Sequence, residues 1–392
     1  MRTAQLCSAL LTWVFTGVFA SPALAADDDD IGTRPAQIAA DPTSAPTPER
    51  PPPADSPQGS YSDSSGQESY RPRDSGLQIA SEPPTDWAVL HAGLRPHLGT
   101  FGGIATLALA HERTERFYGG FSLSMIRNDA GTHVGAFQIA IGRNLSDEFI
   151  GIAQLGVAEN RARTFMGLGQ LTLAYNRSQD LYGVFQLAGA NRAENFHGGF
   201  QLGGYNLADK SFVGLAQIGG FNHSEGDFTG LVQVGGFNAQ GEIYEDYDVE
   251  HAPRFNGLAQ LGFGNSAQIF KGALQAGVTN FSADFVGGFQ IGVASYAKEF
   301  RGIAQVGGGN VSEKHYGGQI GVANISEEVH GVQIGVFNHA KRLRGLQIGL
   351  LNHAEDGVLE WSPIINMGFG DDGGSGYDQY AARRSGPGSA RF

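Results

Sequence analysis

Gly345-Leu346-Gln347-Ile348-Gly349-Leu350-Leu351-Asn352 is the last clear copy of a phrase that fills most of this chain. An early copy opens at Gly135-Ala136-Phe137-Gln138-Ile139-Ala140. The central glutamine recurs at Gln138, Gln154, Gln170, Gln186, Gln201, Gln217, Gln233, Gln260, Gln275, Gln290, Gln305, Gln319, Gln333 and Gln347. The spacing begins at 16, shortens to 15 and ends at 14, with one longer gap between Gln233 and Gln260. Self-similarity at a short fixed period defines a repeat architecture. Since no repeat carries a group that the others lack, a single catalytic centre is not expected, and we read the chain as a non-enzyme.

Alternate residues around each glutamine fall into two chemical classes. One parity holds Val332, Ile334 and Val336, or Ala153, Leu155 and Val157. The other holds Gly331, Gln333 and Gly335, or Leu168, Gln170 and Thr172. Period-two alternation over seven or more residues marks a β-strand between two different environments, and the mid-repeat glycines disfavour helix. Thr106 and Ser122 continue the pattern upstream, two periods and one period before Gln138. Counting from them predicts sixteen strands centred on residues 106 to 347, a further strand near 359–370, and another candidate at Trp87–Leu94. Between strands runs a polar phrase such as Asn144-Leu145-Ser146-Asp147-Glu148-Phe149, whose Asn, Ser and Asp suit tight turns.

Two all-β arrangements satisfy this pattern. The first, which we take as the expectation, is an antiparallel meander closed into a 16–18-stranded outer-membrane β-barrel. About 9–11 tilted residues cross the hydrocarbon, the apolar parity would meet lipid, and the Gln/Gly parity would line the lumen. Aromatics near strand ends, Phe212 and Phe221 around Gln217 and Phe228 and Phe237 around Gln233, resemble interfacial girdles. The alternative is a β-solenoid with one 14–16-residue repeat per coil, in which like positions stack into ladders. So small a coil needs at least two short strands, because four or five residues cannot span the return of a ten-residue one. The phrase x-Ala-x-x-Phe that would form the second lacks clean alternation. The connectors, however, show none of the odd–even length difference usual in porin-like barrels.

The flanks differ in kind. Residues 1–25 read as a signal peptide: Arg2, an apolar run from Leu10 to Ala20, and a small-residue cleavage site at Ala23-Leu24-Ala25. Cys7, the single cysteine, lies inside it, so the exported chain would hold no thiol for a disulfide or a thiolate metal site. Residues 26–85 hold eleven of the sixteen prolines and eleven acids against four arginines, and read as a disordered acidic linker. Residues 86–370 are the β-repeat domain, and 371–392 a flexible Gly-rich tail. A net charge of −13 argues against nucleic-acid binding.

The repeat resembles that of bacterial exported surface-repeat proteins whose unit reads G-L-Q-I-G-L-x-N-x-A, most closely over Gly317–Ala354. The ending Trp361-Ser362-Pro363-Ile364-Ile365-Asn366 resembles the way such chains close. The resemblance implies the bacterial outer membrane or cell surface and transfers no activity, cofactor or catalytic residue.

The candidate sites are few. The fourteen glutamines would line a neutral lumen passing small solutes such as sugars, or would form a structural ladder by satisfying one another's amides. The long gap carries Glu242, Glu245, Asp246, Asp248 and Glu250, whose spacing matches no twelve-residue calcium loop and reads as a solvated acidic loop. His223, His339 and His353 each follow a repeat asparagine and read as exposed turn histidines; in a solenoid the last two could also meet as a metal pair. No cofactor is expected. Expected partners are outer-membrane lipid, with small neutral solutes or other envelope components. The predicted role is a porin-like channel or structural barrel; the alternative is a non-membrane β-solenoid surface protein with structural or adhesive function.

Overall fold

The computed structural model describes residues 85–241 and 252–369. The signal, linker and tail assignments, and the five loop acids, fall outside the described residues or at their edge.

The chain winds as a parallel β-solenoid, one repeat per coil. Ala216–Ser224 pairs in parallel with the segment holding Gln201 on one side and with Val232–Gln240 on the other. Register is residue for residue: Gln217 lies on Gln201 and Gln233, and Asn222 on Asn206 and Asn238. The same pairing runs through His111–Ser124, Arg127–Ala140, Arg143–Leu155 and Glu159–Leu171. It continues between Ala259–Ala276 and the long β segment Thr279–Ala354. Only parallel in-register stacking puts each residue on its own kind, and that is what makes a repeated Gln or Asn worth repeating.

The barrel expectation is therefore overturned. A meander reverses direction at every strand, whereas successive segments here run the same way. The alternation holds only from glutamine onward, where Gln217 is buried and Ile218 faces out; before glutamine it lapses, with Ala153 buried and Leu168 exposed, and the interior belongs to one coil rather than to a sheet closed around a lumen. The polar phrase is also not a hairpin turn. Asn144–Phe149 lies within the strand Arg143–Leu155, with Asn144, Ser146 and Phe149 buried. The lapse in alternation at Asp147-Glu148 sets two successive residues outward before Phe149 points in again.

Three inward columns divide each coil. Gln290, Ser295, Phe300 and Gln305 stand at equal steps of five, which makes the coil three such steps long. The longer coils add one residue in a single stretch: Gln154 to Asn160, or Asn206 to Phe212, is a step of six. The shortest coils remove one between the third column and glutamine, as from Leu343 to Gln347. The chain makes that shortcut at Gly317, Gly331 and Gly345, whose φ values of 141°, 147° and 145° are open to glycine and rarely to other residues. The acidic segment interrupts the chain without interrupting the stack. Asn238 still donates to Asn265 at 2.8 Å, and Phe255 stacks on Phe228 at 4.8 Å.

The core is a column of rings. Phe149 and Phe165 stack at 5.0 Å and 2°, and Phe196, Phe212 and Phe228 follow one another at 4.8 Å. These rings are fully buried. Trp361–Phe369 then pairs antiparallel with Arg344–His353 and caps the last coil.

Candidate functional site

All fourteen repeat glutamines are fully buried. Each from Gln154 onward donates Nε2–H to Oε1 of the glutamine one coil earlier, at 2.7–3.0 Å. One face of every amide thus serves the coil before and the other the coil after. No lumen remains for these side chains to line, so the solute-passage reading falls with the barrel.

Asparagine forms the second ladder. Asn144 donates to Asn160 Oδ1 at 2.8 Å and to the Leu155 carbonyl at 2.8 Å. The same geometry recurs at Asn338, which donates to Asn352 at 2.8 Å and to the Ile348 carbonyl at 3.0 Å. The glycine two positions after the glutamine makes room for it. A Cβ at Gly219 would stand 2.2 Å from the Gly203 carbonyl and 2.7 Å from Asn206 Nδ2.

Titratable groups interrupt these columns in three places. His133 replaces phenylalanine between Phe117, 4.4 Å away at 3°, and Phe149, 5.0 Å away at 8°. Neither of its ring nitrogens has a hydrogen-bond partner, and burial pushes its pKa down to about 3. His315 stacks on Phe300 at 4.6 Å and is held down to about 4, again mainly by burial. Glu112 occupies the asparagine column beside Asn128. Its carboxyl accepts from the hydroxyls of Thr106 at 2.8 Å, Thr114 at 3.1 Å and Ser122 at 3.1 Å. Burial raises its pKa, and those hydroxyls oppose the rise.

His339 and His353 do come together. Their rings stack at 4.8 Å and 5°, with Nδ1 of one 2.7 Å from Nδ1 of the other, so one ring donates to its neighbour. His353 also lies 4.2 Å from Trp361, and burial, then the His353 charge, lowers the pKa of His339. His223 belongs to a distant coil, beside Leu207 and Ala239. Among the described residues no group of three or more His, Cys, Asp or Glu is placed to hold a metal ion.

The outer surface is divided as sharply as the interior. Charge gathers between the asparagine and phenylalanine columns, where it pairs along the stack: Arg163 with Asp147 at 3.2 Å, Lys210 with Glu194 at 2.7 Å, and Arg342 with Glu328. The stretches on either side of glutamine carry charge only at their ends, next to the phenylalanine and asparagine columns. Between those ends, from Gly103–Ala110 to Gly345–Leu350, they hold no charged residue in any coil. Their outward side chains are apolar and open to solvent, among them Leu173 at 76 %, Val293 at 64 %, Ile303 at 64 % and Leu350 at 73 %. The buried histidines and Glu112 escape sequence reading because each takes the place of a regular column residue. The signal for the burial of His133 and His315 was their offset from glutamine: they stand five and four positions before one.

The chain matches no protein-family model, no curated protein and no solved structure.

Proposed function

We propose that this protein is an exported surface scaffold of a bacterial envelope, a β-solenoid with a structural or adhesive role rather than a channel or an enzyme. The observation that carries this reading is how the repeated polar groups are used. Gln and Asn spend their hydrogen bonds on one another inside the stack, and the outside offers long, regular rows. Such rows suit extended contact with another surface. The residue resemblance to exported repeat proteins and the signal-like opening from Met1 to Ala25 support envelope location. Fractionation of expressing cells, with protease treatment of intact cells, tests the reading. The expected result is a protein cleaved from outside and unchanged in gel mobility on boiling. Recovery in the cytosol, or a heat-modifiable outer-membrane band, would overturn it.

A further inference from the structure

We propose that the two uncharged stretches of the coil form a docking surface for a phospholipid bilayer; the inference deepens the scaffold reading by naming what the scaffold adheres to. Four observations point to lipid. First, the uncharged surface lies on both sides of the glutamine column and continues along the stack. Between the residue after the phenylalanine column and the residue before the asparagine column, no coil from Gly119 to Leu350 holds Asp, Glu, Lys, Arg or His. Second, its relief is uneven. The position three after glutamine is Leu173, then Gly189, Gly204, Gly220 and Gly236, then Phe263. A rigid partner needs complementary shape to seat on such a surface, whereas acyl chains flow into it.

Third, its margins carry the residues that suit the water–lipid boundary. On one margin Tyr182 stacks on His197 at 5.1 Å and Tyr316 on His330 at 4.7 Å. That column's charged members are Lys271, Arg301 and Arg344, all cations. On the other margin, the column just before asparagine, Tyr205 stacks on Phe221 at 5.1 Å, and the charged members Arg127, Arg143 and Glu159 include the pair Arg143–Glu159 at 3.6 Å. Aromatic side chains with a polar tip favour the headgroup level, and long cations reach phosphates from an apolar seat. Fourth, the backbone is already spoken for. Parallel ladders join each coil to the one before and the one after, so an apolar phase against this surface strips few hydrogen bonds from water. The protein would lie on the bilayer, with its paired charges turned to water; it would not span it.

The experiment is flotation of the purified full chain with vesicles of phosphatidylcholine and phosphatidylglycerol at 7:3, beside the variant Val293→Asp/Val322→Asp. Both substituted residues point outward, so the ladders and the ring column stay intact, and a matching circular dichroism spectrum checks this. The chain is expected to float, and the variant to lose at least about tenfold in partitioning, since each change removes one apolar anchor and adds a charge. Failure to float would overturn the proposal, whether the protein stays monomeric or sizes as a dimer; a dimer would assign the surface to a second copy. Equal flotation of chain and variant would also overturn it. The test uses purified protein, so its outcome is independent of where cells place the chain.

Discussion

His133 gives the sharpest test of the ring column. Its neutral ring is sealed between Phe117 and Phe149, and its folded pKa lies near 3 against an ordinary 6.5. The unfolded chain therefore takes up a proton that the folded chain refuses. The contribution is complete above pH 6.5 and is lost as pH falls through 6.5 towards 3. The loss runs at about 1.4 kcal/mol for each pH unit, or about 3 kcal/mol by pH 4.5. Replacing His133 by Phe removes that proton and supplies the ring the neighbouring coils already use. The assay is urea unfolding of wild type and His133→Phe at pH 7 and pH 4.5, taking the difference between the two proteins at each pH. Glu112 and the surface acids then cancel. His133→Phe should gain about 3 kcal/mol over wild type between the two pH values. A gap that does not change with pH would show that this ring is not sealed as described, and the reasoning would fail with it.

Other perturbations probe the remaining columns. Gly219→Ala brings a Cβ within 2.2 Å of a backbone carbonyl, whereas a Cβ at Gly309 meets nothing within 4 Å. Thermal unfolding should show a loss of about 1–3 kcal/mol for the first and none for the second. Gln233→Glu sets an acceptor against Gln217 Oε1, where a donor now stands at 2.7 Å. The variant should be destabilised by about 3 kcal/mol at pH 7 and recover in part at pH 4, as the new carboxyl protonates. Glu112 has a raised pKa, so its contribution is present at low pH and lost as pH rises through the folded value. Glu112→Gln should therefore gain stability relative to wild type between pH 4.5 and pH 8 in denaturant titrations.

What the sequence reveals and what it hides divide along local and non-local lines. The inward Gln and outward Ile of Gly331–Val336 are legible because alternation is a property of one strand. Whether that strand pairs with a reversed or a parallel neighbour is not, since both place the same residues on the same sides. The decisive clue lay in the third column: Phe149, Phe165, Phe196 and Phe212 stand at a fixed five positions before glutamine, as a stack of identical coils requires. Asn144 and Ser146 misled because their turn chemistry on paper is the same as their ladder chemistry in a buried corner. His133, His315 and Glu112 were hidden by type, as residues that sequence logic assigns to solvent.

The long gap between Gln233 and Gln260 has a meaning for how such a chain can change over time. Gln260 bonds Gln233 at 2.8 Å as though nothing lay between them, so added sequence is invisible to the stack if it leaves and returns at one corner. The coils of three different lengths obey the same grammar, gaining or losing single letters only at the joints between columns. A gene of this kind reads like verse with a fixed rhyme and a free line length. Whole lines can be copied or dropped and stanzas inserted at the line breaks, while a slip of one letter inside a line turns the rhyme outward.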